Sequence, residues 1–95
     1  MAFGTIRADI IQGTNQSLDL SVAGQYDFSG DVLPDADVTR DLGAPGFRWA
    51  NIYTGDLHLA NDRGDWTVVE ESDYLSLKNN KTGKTFRLLM EEVDS

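Results

Sequence analysis

Apolar residues in this chain come in strips of two or three on alternate positions, interrupted by turn residues about every eight to ten positions. Ile6, Ala8 and Ile10 alternate with Thr5, Arg7 and Asp9 in the stretch 3–11; Leu18, Leu20 and Val22 alternate with Ser17, Asp19 and Ser21; Tyr26 and Phe28 flank Asp27. A period of two marks half-buried strands, each with one apolar face. None of these strips is wide enough to close a core alone. The chain has 95 residues and no cysteine, so it forms one domain at most and carries neither a disulfide nor a thiolate metal site. A small all-β chain without such staples gains stability by pooling apolar faces, between strands or between chains. The expected fold is therefore all-β, with short strands, and a trimeric β-prism or fibre-like assembly is weighed against a Greek-key sandwich.

The turns have recognisable chemistry. Gly13-Thr14-Asn15-Gln16, Ala23-Gly24-Gln25 and Ser29-Gly30 separate the first strips, and Val32-Leu33 is a further short strand closed by Pro34. After a polar connection over 35–40 and the central stretch, strands are predicted for Asp56-Leu57-His58-Leu59, for Trp66 to Glu71 and for Tyr74 to Lys78. A return strand is predicted over Phe86, Leu88 and Met90. Asn61-Asp62-Arg63-Gly64-Asp65 reads as a turn, and Asn79-Asn80-Lys81-Thr82-Gly83 as a hairpin loop ending in Gly. A loose repeat runs through this half. Leu57-His58-Leu59-Ala60-Asn61 echoes Leu75-Ser76-Leu77-Lys78-Asn79, and a glycine-bearing turn and then an aromatic, Trp66 or Phe86, follow each copy.

The stretch from Asp41 to Gly55 differs from the rest. It packs Leu42, Phe47, Trp49, Ile52 and Tyr53 between glycines and a proline. Pro45 suits the first helical position, Trp49, Ile52 and Tyr53 stand at i, i+3, i+4, and Gly55 is a plausible stop. The spacing predicts a short helical plug around 45–53, held by tertiary or inter-chain packing because one or two turns are not stable alone.

The run Gly30-Asp31-Val32-Leu33-Pro34, then Asp41-Leu42-Gly43, then Arg48-Trp49-Ala50-Asn51-Ile52-Tyr53, resembles a module of bacteriophage tail fibres and related virion proteins, with Ala44 where the module usually has Ser. The resemblance implies a structural component of a virion, assembled in the host cytoplasm as a homotrimer and contacting other virion proteins. It tips the reading towards the trimer. The competing implication is a receptor- or glycan-binding tip of a fibre or baseplate, whose partner is a host surface glycan or receptor.

Charge narrows the partners. A formal net charge of −8 disfavours nucleic acid, whose phosphates would be repelled, and anionic membrane surfaces. No stretch approaches the length of a membrane span, and no secretory signal pattern opens the chain. No catalytic constellation is apparent, so no enzyme activity and no cofactor are expected. His58 is the single histidine and has no evident partner, and Asp31, Asp35, Asp37 and Asp41 lack calcium-loop spacing. Lys78, Lys81, Lys84 and Arg87 cluster on the last hairpin, where the acidic run Glu70 to Asp73, of the same chain or of a neighbour, is expected to complement them.

The chain divides into three segments expected to act as one cooperative unit: N-terminal short strands over 1–34, the connection and plug over 35–55, and C-terminal hairpins over 56–95. The interface is predicted to use Leu42, Phe47, Trp49, Ile52, Tyr53, Leu57, Leu59 and Trp66. The surface-binding candidates are Arg63, Asp65, Asn80 and Lys81, on the loops 61–65 and 79–83.

Overall fold

A computed structural model describes residues 4–15 and 17–94, and within them the protein is all-β, with no helix. Four strands, β1 (Leu57–Ala60), β2 (Asp65–Glu70), β3 (Leu75–Asn79) and β4 (Thr85–Arg87), form one antiparallel sheet in sequence order. Leu57 pairs with Val68 and Leu59 with Trp66; Val68 pairs with Leu77 and Leu77 with Phe86. The hairpins expected over 56–90 are thus present, although the return strand stops at Arg87. Beyond it a single ladder bond remains, from Leu88 N–H to the Leu75 carbonyl at 2.9 Å.

The repeat legible in the sequence is a repeat of turn geometry. Asn61 closes the β1–β2 loop by donating its N–H to the Gly64 carbonyl (2.9 Å), while its Oδ1 accepts from the N–H groups of Arg63 (2.8 Å) and Gly64 (3.3 Å). Asn79 does the equivalent in the β3–β4 loop. Its N–H donates to the Lys84 carbonyl (2.9 Å) and its Oδ1 accepts from Lys81 N–H (3.0 Å). Short polar side chains that bond the backbone two residues on are the usual way of bending a chain here. Gly83 supplies the positive φ of 79° that the longer loop needs.

The chain forms two compact units, Met1–Leu33 and Pro34–Ser95. Among its described residues the first holds no strand, contrary to the strands expected over 3–11 (residue 3 lies outside the described residues), 17–22, 26–28 and 32–33. The period-two pattern is there, but a strand exists only where a second one satisfies its backbone groups, and none pairs with these strips among the described residues. What the unit has is local: Gly13 passes so close to Ser17 that a Cβ would lie 2.9 Å from the Ser17 carbonyl oxygen, and the Tyr26 hydroxyl donates to the Leu20 carbonyl.

In the second unit the helical plug around 45–53 is not formed. Ala44-Pro45-Gly46-Phe47 is instead a tight turn closed from both sides, Phe47 N–H to Ala44 O at 2.9 Å and Ala44 N–H to Phe47 O at 3.1 Å. Pro45 presets the second position of such a turn as readily as the first position of a helix. Gly46 costs a helix about 1 kcal/mol relative to alanine, and no apolar surface lies under Trp49, Ile52 and Tyr53 to offset the nucleation cost.

Candidate functional site

The sheet has two unlike faces, set by the alternation along each strand. One carries Leu57, Leu59, Trp66, Val68, Leu77 and Phe86 in register, and the rings of Trp66 and Phe86 lie 5.9 Å apart at 42°. The other carries His58, Thr67, Lys78 and Thr85 in one row and Val69, Ser76 and Arg87 in the next. The two buried residues, Thr67 at 7% exposure and Ser76 at 4%, are on the polar face. Among the described residues no hydrophobic side chain is buried. Leu57, Leu59 and Phe86 on the apolar face stay about half exposed, so this face is uncovered.

Burial on the polar face is compensated by hydrogen bonds. Thr67 Oγ1 accepts from Asn80 Nδ2 at 3.0 Å and lies 3.2 Å from His58 Nδ1, to which its hydroxyl donates when that nitrogen is unprotonated. Asn80 Nδ2 also donates to Asp65 Oδ1 at 2.9 Å, and Asn80 N–H to the Asp65 carbonyl at 2.8 Å. Ser76 donates to Glu71 Oε1 at 3.1 Å. No buried side-chain polar atom among the described residues lacks a partner. The hydroxyl nearest the histidine is therefore a shielded, fully engaged group, and what this network does chemically is tie the two hairpins together at one end of the sheet.

The expected interface residues fall into two sets. Leu57, Leu59 and Trp66 share the apolar sheet face. Leu42, Phe47, Trp49, Ile52 and Tyr53 sit in the loop before it, all exposed, Tyr53 at 95%. That loop has its own logic. Gly43 takes a φ of +93°, and a Cβ there would lie 3.2 Å from the Phe47 carbonyl oxygen and 3.4 Å from Trp49 Cδ1. The glycine of Asp41-Leu42-Gly43 is thus the point where the chain reverses directly under the indole. Of the surface-binding candidates, Asp65 and Asn80 bond each other, while Arg63 and Lys81 are exposed on the two loops at that end. The expected in-chain pairing of Glu70 to Asp73 with the basic hairpin is not made. Among the described residues the one ion pair is Arg40–Asp35 at 2.8 Å, and Arg87 instead lies over the Tyr74 ring, 4.3 Å from its centroid. No group of three or more metal-ligating side chains comes together among them either.

Sequence reasoning missed Asn80 and Thr67 as the link between the hairpins. The signal was the small polar residue at the centre of β2, where a central strand normally carries a large apolar one.

No family model, no curated protein and no solved structure matches the chain.

Proposed function

We propose that this protein is a structural component of a bacteriophage virion, a fibre-like or decoration element built as a homotrimer in which three copies turn their apolar faces to a common axis. The observation that carries this reading is the uncovered apolar sheet face. An amphipathic sheet that leaves Leu57, Leu59 and Phe86 half in water has its partner elsewhere. The virion assignment rests on the resemblance of the Asp41-Leu42-Gly43 and Arg48-Trp49 to Tyr53 segments to the tail-fibre module, and with it go assembly in the host cytoplasm and contact with other virion proteins.

A receptor- or glycan-binding tip is the competing reading. It is disfavoured because Asp65 and Asn80 direct their polar groups at each other, leaving Arg63 and Lys81 as the free members of that set. The deciding measurement is the solution mass by light scattering after size exclusion. A mass three times 10.5 kDa is expected; a stable monomer refutes the homotrimer.

A further inference from the structure

We infer that the stretch Thr5–Ile11 docks the same stretch of a second copy, antiparallel and with a two-fold axis through Ala8, so that two chains complete a β ladder that one chain leaves unmade. Within the chain this stretch is exposed throughout, Ile6 at 86% and Ile10 at 79%. It forms no strand, and neither Arg7 nor Asp9 has an ion-pair partner among the described residues. An alternating apolar face, a row of backbone donors and acceptors and two opposite charges are thus all open to a partner.

What identifies the partner is that Ile6-Arg7-Ala8-Asp9-Ile10 complements its own reverse. Turned about Ala8, Ile6 meets Ile10, Arg7 meets Asp9 and Asp9 meets Arg7. Residues directly opposite on antiparallel strands interact, favourably for opposite charges and unfavourably for like ones. The neighbouring registers fail. Moving the two-fold to Arg7 or to Asp9 sets that residue against its own copy, like charge on like. A slip of one residue puts Ile6 opposite Asp9, or Ile10 opposite Arg7, and turns one apolar face away. A parallel, in-register pair sets Arg7 beside Arg7. The second strip of the same unit, over 17–22, has Asp19 as its one charge and offers Asp9 no cation. The contact is isologous, as a two-fold requires. It lies outside the sheet face assigned to the trimer, so it goes beyond that reading and joins two trimers. One pair of short strands is marginal in water, whereas three pairs between two trimers act together. The contact is therefore expected above the concentrations at which the trimer itself is complete.

Light scattering of the full chain across a concentration series tests this. The wild-type mass is expected to rise from three towards six times 10.5 kDa. R7D alone and D9R alone each set like charges against one another in both halves of the contact. Each is expected to raise the concentration at which the mass doubles by on the order of tenfold. An equal mixture of R7D and D9R chains brings opposite charges together again, as does R7D/D9R in one chain, and both are expected to recover the wild-type value. A strip that pairs within its own chain gives no recovery on mixing. A wild-type mass that stops at the trimer at every concentration, single variants that match the wild type, or a mixture no better than its components overturns the two-fold contact and leaves the trimer standing. A wild type that is monomeric on dilution removes the trimer alone, and the same variants then read the contact in the rise from one towards two chains.

Discussion

Gly43 shows how much one residue decides. Its φ of +93° lies where side chains are disfavoured, and the Cβ of an alanine would press on the Phe47 carbonyl and the edge of Trp49. Gly43→Ala is expected to destabilise the second unit by about 1–3 kcal/mol, seen as a lower denaturant midpoint with an unchanged slope. A midpoint at or above wild type would mean that the reversal under the indole is not needed. Trp49 itself is 64% exposed within the single chain. Its large apolar surface contributes to stability only once something else covers it, which in the proposed homotrimer would be another copy. Val38 is another special position, a β-branched residue at φ 52° in the exposed connection between Asp35 and Arg40.

At the scale of elements, the hairpins stand on their turns. Asn61 and Asn79 open the two loops, and their side-chain oxygens accept loop backbone N–H groups, two at Asn61 and one at Asn79. Replacing either by alanine is expected to cost about 0.5–1.5 kcal/mol, measured by urea unfolding. Similar losses at both sites would support the turn equivalence; an Asn79→Ala variant as stable as wild type would leave Gly83 and the Lys84 carbonyl as the features that close that loop. The loose repeat in the sequence was legible because its physical content is local: a pair of leucines on one face, an asparagine to start the turn and a glycine within it. The N-terminal strips carry the same local content yet form no strand among the described residues, because a ladder requires a partner that local sequence cannot supply.

For the whole molecule the question is where the apolar surface goes. Leu59 is half exposed and pairs with Trp66 on the open face. Leu59→Asp is expected to leave the sheet folded by circular dichroism, since a charge on a surface open to water costs a monomer little. In the proposed trimer the same charge would be trapped unpaired among apolar side chains, at a cost of several kcal/mol, so the mass is expected to fall to that of a single chain. A Leu59→Asp variant that keeps its oligomeric mass would show that another face, such as the loop bearing Leu42, Trp49 and Tyr53, makes the contact.

The sequence by itself determined what is local. The all-β character, the hairpins of the C-terminal half and their turn residues follow from a period of two broken by asparagine and glycine, signals that act over a few residues. The tertiary structure decided everything that depends on a partner in space. Ala44 to Phe47 folds as a closed turn because Pro45-Gly46 satisfies turn geometry at once, whereas a helix there had nothing to pack on. Thr67 and Asn80 join the hairpins because strand register, which no window of sequence contains, sets them side by side. The open apolar face has the same origin: alternation specifies that a strand has two faces, and only the packing of whole elements determines whether anything covers one of them.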